Sequence, residues 1–192
     1  MTEPLEEPAE SVIQPVEPEQ EPEIAPAEHA GGRFEVPAGY QVLSGSSDGG
    51  RRAVAVVVAK FNGEITSRLL ERALEELEAA NVPREGVTIV PVPGAFELPL
   101  AAIALAKTRR YACIVALGCV VRGETPHFDF VAGEAASGLQ LAAIETGVPV
   151  AFGVLTTDTV EQAEARIDRA ADVVRGALEM ADVFQQLRAA AR

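Results

Sequence analysis

Short apolar runs recur through the chain at residues 53–59, 87–92, 112–118 and 148–154, and the stretches between them place apolar residues at helical spacing. Runs of this length read as strands, and the run at 112–118 as a buried strand of a parallel sheet. Strands alternating with helices predict a parallel sheet with helices on both sides. The first helix is expected after Asn62, with Ile65, Leu69, Leu70, Ala73, Leu74 and Leu77 on its inner face. A second follows Pro93-Gly94-Ala95-Phe96-Glu97, and Pro99 is compatible with it only in the first turn. A third is expected from Pro126 to Thr146. The last opens at Thr159, where Thr159 and Gln162 form a capping box, and runs toward Leu187 with a break near Asp168.

The chain of 192 residues is long enough for one domain with a full core. Its first 32 residues differ from the rest. They hold nine glutamates, prolines at 4, 8, 15, 18, 22 and 26, and neither lysine nor arginine, so most of the formal charge of −13 resides there. Such a segment buries too little apolar surface to offset ordering and is expected to be a disordered or extended acidic tail. Residues 33–51 are transitional, with an edge strand or a strap on a neighbour at 33–43 and a loop at 44–50; residues 52–192 form the domain proper.

The charge of the remainder is only about −4. An acidic chain with no basic stripe and few aromatics does not suit nucleic acid, which needs concentrated positive charge. The N-terminus lacks the basic residues and continuous apolar region of a signal peptide or mitochondrial presequence, and no membrane span is evident, so a cytoplasmic location is expected. Two cysteines without ligand spacing argue against a disulfide framework or a metal site. Cys113 falls inside a strand and Cys119 just after it. No repeat or dinucleotide glycine fingerprint is present.

In an open parallel sheet a ligand binds beyond the carboxyl ends of the strands. The residues there are Lys60-Phe61-Asn62, Gly94 to Glu97, Cys119 to His127, and Leu155 to Asp158. Gly123-Glu124-Thr125-Pro126-His127-Phe128-Asp129 reads as a phosphate cradle. Its glycine permits a close approach, Thr125 is placed to cap the helix, Pro126 suits the first helical position, and free first-turn amides face an anion. His127, one of two histidines, is the candidate proton carrier of the motif. Phe61 and Phe96 offer flat surfaces for a planar heterocycle or simply join the core. Glu97 accepts ring N–H groups or serves as a first-turn helix acid. Arg166 grips a phosphate or stays solvated.

Ala59-Lys60-Phe61-Asn62, Val92 to Pro99 (VPGAFELP), Gly118 to Phe130 (GCVVRGETPHFDF) and Phe152 to Thr156 (FGVLT) closely resemble the lumazine synthase family, over about residues 52–188. The resemblance implies a flavodoxin-like three-layer α/β/α sandwich with a mainly four-stranded parallel sheet. It implies a cofactor-free transferase that condenses 5-amino-6-(D-ribitylamino)uracil with 3,4-dihydroxy-2-butanone 4-phosphate, giving 6,7-dimethyl-8-ribityllumazine, phosphate and water in the penultimate step of riboflavin synthesis. By the same resemblance, His127 transfers protons. Phe61, Ala95, Phe96, Glu97, Cys119, Val120, Val121 and Phe152 surround the pyrimidine, and Glu124, Thr125 and Arg166 take the phosphate substrate.

The family forms pentamers, decamers and sixty-subunit shells, so a homo-oligomer built on a ring of five is implied, with riboflavin synthase as a further partner. Two departures stand out. Phe96 occupies a position where many relatives carry tryptophan. After Arg166, a glycine- and lysine-rich loop common in relatives is shortened to Ile167-Asp168-Arg169, where Arg169 is the one candidate for the missing cation. Archaeal-type riboflavin synthase activity and a noncatalytic flavin-binding or shell-forming role are the alternatives at this stage.

Overall fold

The structure is a computed structural model and describes residues 34–191; the acidic tail at 1–32 lies outside the described residues. Two compact units divide the chain, Met1–Tyr40 and Gln41–Arg192. The described part of the first, 34–40, holds a turn and no strand. The edge strand expected at 33–43 does not form among the described residues. Pro37 lacks an amide for a ladder and Gly39 adopts φ +95°, which bends the backbone out of an extended path.

The second unit contains β1 (Val54–Ala59), α1 (Gly63–Ala79), β2 (Val87–Val92), α2 (Leu98–Lys107), β3 (Cys113–Val121), α3 (His127–Thr146), β4 (Val150–Thr157), α4 (Val160–Glu164) and α5 (Arg169–Ala190). The strands form one parallel sheet in the order β2-β1-β3-β4. Every residue of β1 is buried, because it has a neighbour on each side and helices on each face. β2 is an edge strand, where Pro91 is tolerated because a missing ladder amide costs little at an edge.

Side chains alternate across the sheet into two cores. Val54, Val56, Val58, Val115 and Leu117 pack with Leu69 and Leu77 of α1 and Val174 and Leu178 of α5. Ala55, Val57, Ile114 and Ala116 pack with Leu98 of α2 and Leu139 of α3. Each fully buried valine or leucine contributes about 1.5–3 kcal/mol relative to exposure. The second core is rich in alanine, so its helices approach closely. A Cβ at Gly138 of α3 would lie 2.7 Å from Pro99 Cβ of α2, a contact only glycine relieves.

β3 and β4 both run further than their apolar cores suggest. Cys119 to Val121 pair in register with Leu155 to Thr157, so Cys119 belongs to the strand and Leu155 to Thr157 do not form a crevice loop. Gly118 lies inside β3 and turns nothing. Its missing Cβ makes room for Leu98 Cδ1, which would otherwise sit 3.2 Å away. Thr159 Oγ1 accepts the Gln162 amide at 3.2 Å, Gln162 Oε1 accepts the Asp158 amide at 3.1 Å, and the helix breaks before Arg169 as the pattern predicts. The loop at 44–50 is held to α5, where the Ser46 amide donates to Asp182 (3.1 Å) and Gln186 Nε2 to the Ser44 carbonyl (2.9 Å).

Candidate active site

Strand order reverses between β1 and β3, since β2 lies on one side of β1 and β3 on the other. The chain therefore leaves β1 and β3 toward opposite faces and opens a crevice between them. A groove of about 670 Å³ occupies that place. Lys60 and Phe61 continue the β1–β2 ladder past the strand ends, their amides donating to the carbonyls of Val92 (2.8 Å) and Pro93 (3.1 Å). This sets the Phe61 ring at the rim, 71% exposed. A short 3-10 turn, Ala95–Glu97, follows β2 and presents Phe96, 58% exposed, along the same groove. Glu97 folds its carboxylate back over Gly94, where an added Cβ would stand 3.2 Å from Oε2.

The groove thus brings together Phe61, Ala95, Phe96 and Glu97 with Cys119, Val120 and Val121 at the end of β3. Thr125 and His127 line the same groove. Of the lining residues, Glu97 and His127 are the acid–base side chains beside the Cys119 thiol. Burial pushes the Cys119 thiol above its ordinary pKa, which favours the neutral thiol over the thiolate.

The first turn of α3 departs from the expected cap. The helix begins at His127, and no side chain caps it; Pro126 takes the capping position with ψ near 0°. The Asp129 amide donates to the Pro126 carbonyl at 3.0 Å and closes a tight turn, so Thr125 stands one residue upstream and lines the groove instead of capping the helix. Glu124 is exposed in the loop between the lining residues Gly123 and Thr125.

Phe152 and Arg166 do not reach this groove. Phe152 sits on the edge strand β4, 42% exposed, opposite Ala116. Arg166 lies between α4 and α5, exposed, with Nη1 donating to the Gln162 carbonyl at 2.8 Å. Arg169 is held by Asp172 on its own helix (3.4 Å).

Several lining residues, Asn62, Phe128 and Phe130 among them, were not singled out from the sequence as binding residues. Asn62 turns the chain from β1 into α1 in the left-handed region (φ 55°). Asparagine after a strand and before a helical pattern was the available signal. Phe128 and Phe130 bring two more rings, and Phe130 is 68% exposed. Spacing alone assigned them to a helix without telling which face they would take.

A parallel sheet in this order, layered between α1 and α5 on one face and α2 and α3 on the other, with its groove at the reversal of strand order, defines a flavodoxin-like three-layer α/β/α protein. The family model described as 6,7-dimethyl-8-ribityllumazine synthase matches residues 51–185, and the chain belongs to that family. Among the described residues, no helix is long and apolar enough to cross a membrane.

Proposed function

We propose that the protein condenses 5-amino-6-(D-ribitylamino)uracil with 3,4-dihydroxy-2-butanone 4-phosphate to 6,7-dimethyl-8-ribityllumazine. The observation that carries this reading is the convergence of Phe61, Glu97, the β3 end and His127 on one groove in a chain of this family. Phe61 stacks on the pyrimidine, Glu97 accepts its N–H groups, and Cys119 to Val121 line the ribityl side. The butanone phosphate lies at the other end, against the loop of Glu124 and Thr125, where first-turn amides favour an anion.

The pyrimidine 5-amine attacks the ketone, and loss of water gives an imine. Phosphate then leaves by elimination, and the second amine closes the ring with loss of a second water. His127, at the junction of the two subsites, moves protons between these steps. Because the two substrates are intrinsically reactive, holding them together supplies much of the acceleration, and acid–base help adds to it. The reaction uses no cofactor.

The same reading makes the functional unit a ring of subunits. Phe152 and Arg166 complete the groove of an adjacent copy, Phe152 covering the ring and Arg166 holding phosphate, which is how head-to-tail contacts generate identical composite sites. Its support is that both side chains are exposed and stand away from their own chain's groove. The test is to supply both substrates and follow lumazine absorbance and phosphate release together. Stoichiometric release of phosphate with lumazine is the expected result. Riboflavin formed from lumazine alone, or no product from a folded oligomer, overturns the reading.

A further inference from the structure

Arg122 is the first residue beyond β3, outside the groove lining, and it makes four separate attachments. Its backbone amide donates to the Thr157 carbonyl at the end of β4 (2.9 Å). Nε donates to Asp158 Oδ1 at 3.0 Å, and Nη1 reaches Asp129 Oδ1 at 3.3 Å. The guanidinium also lies over the Phe128 ring, 4.1 Å from its centre. Arg122 therefore stands at the start of the loop 123–126 and grips the far side of that loop, at Phe128 and Asp129, the two residues that follow His127. Its third hold, Asp158, belongs to the turn that leads from β4 into α4.

We propose that Arg122 is a positioning residue that fixes the anion loop and the His127 turn for the phosphate-bearing substrate. This rests on the reading that the loop receives that substrate. The loop itself supplies little to hold its shape: Gly123 to His127 are all exposed, Gly123 meets nothing where a Cβ would stand, and no side chain caps α3. Arginine suits the task, since one planar fork reaches two carboxylates while its face covers an aromatic ring, which a lysine cannot reproduce. Each ion pair is half exposed and contributes little to global stability. Loss of the clamp is felt where a small displacement matters, at the bound substrate.

A direct role for Arg122 as a phosphate ligand makes the opposite prediction for its partners. Removing a competing carboxylate would free the guanidinium and tighten anion binding. The experiment compares Arg122→Gln, Arg122→Lys, Asp158→Asn and the double variant Arg122→Gln/Asp158→Asn in the full oligomer. It measures KM for each substrate, kcat, and binding of inorganic phosphate by calorimetry.

Arg122→Gln is expected to raise the butanone phosphate KM about fivefold to thirtyfold while the pyrimidine KM moves less than about twofold. Arg122→Lys recovers only part of this. Asp158→Asn shifts KM and phosphate affinity in the same weakening direction, and the double variant is no worse than Arg122→Gln. Tighter phosphate binding in Asp158→Asn, additive effects in the double variant, or equal change in both KM values overturns the proposal. If the unaltered protein makes no lumazine, the reaction assignment fails, while the phosphate titrations still decide whether Arg122 shapes an anion loop.

Discussion

Asn62 Nδ2 donates to the Cys119 carbonyl at 2.9 Å, so the residue that turns the chain out of β1 is tied to β3, the next strand over. The bond spans the point where strand order reverses. Asparagine tolerates the left-handed backbone there (φ 55°, ψ 47°) and its side chain reaches a carbonyl near the end of the sheet. The bond extends the tie between the two walls of the groove beyond the last β1–β3 pair, Val58 with Leu117.

His127 lines the groove together with Phe61, Phe96 and Thr125. His127→Ala is expected to lower turnover about tenfold to a hundredfold with folding and pyrimidine affinity retained. Steady-state kinetics beside a pyrimidine titration checks this; unchanged turnover removes the proton-transfer role.

The composite site has its own test. Phe61→Ala and Arg166→Ala should each assemble into poorly active oligomers. Mixed in equal amounts and refolded together, they should regain activity, because about a quarter of directional interfaces pair an intact Phe61 with an intact Arg166 of the adjacent copy. Activity fixed at the average of the two parents, with mixing demonstrated by mass, would contradict a shared groove.

Close packing between α2 and α3 predicts opposite outcomes for two glycines. Gly138→Ala forces a Cβ into Pro99 at 2.7 Å and should destabilise by about 1–3 kcal/mol. Gly176 in α5 meets nothing, so Gly176→Ala should stabilise by about 0.5–1 kcal/mol through helix propensity. Chemical unfolding of both variants at one protein concentration measures the contrast.

Burial pushes the Cys113 thiol from 9.0 up to about 12, with the Arg52 charge opposing the shift in part. As pH rises the unfolded chain releases this proton first. The contribution of the neutral thiol is thus fully present below pH 9 and is lost progressively between pH 9 and 12. At pH 10.5 the loss is about 2 kcal/mol relative to pH 8. Urea unfolding at the two values should show a drop in the unaltered protein that is smaller by that amount in Cys113→Ala.

The layered fold was readable because β1, β2 and the helical stripe of α1 each obey one local rule. What escaped was set by distant residues. The apolar run ended at Gly118, yet the small size of that residue answers the demand of Leu98 from another layer, and the strand continues to Val121 because β4 supplies a partner for each added residue. Thr125 resembled a cap, but the turn closed on the Pro126 carbonyl starts the helix without it. Arg122 drew no reading of its own from the sequence, since its carboxylate partners lie 7 and 36 positions away. Phe61, Phe96 and His127 were legible as neighbours because each follows a strand end that faces the same crevice. Phe152 was assigned to the pyrimidine by resemblance alone; it lies within the edge strand β4 and stands apart from its own chain's groove.

The strand order also governs the way the chain emerges from the ribosome. β1 is made first among the strands, and α1 and β2 follow to cover one of its edges. Its other edge waits for β3, which is complete only at Val121, after two helices and two strands have been synthesised. Until then Val54, Val56 and Val58 have half of their final lateral support, and a nascent chain stalled before residue 113 displays an unpaired apolar strand to other chains and to chaperones. The strand most completely enclosed in the finished molecule is therefore the one longest at risk during synthesis.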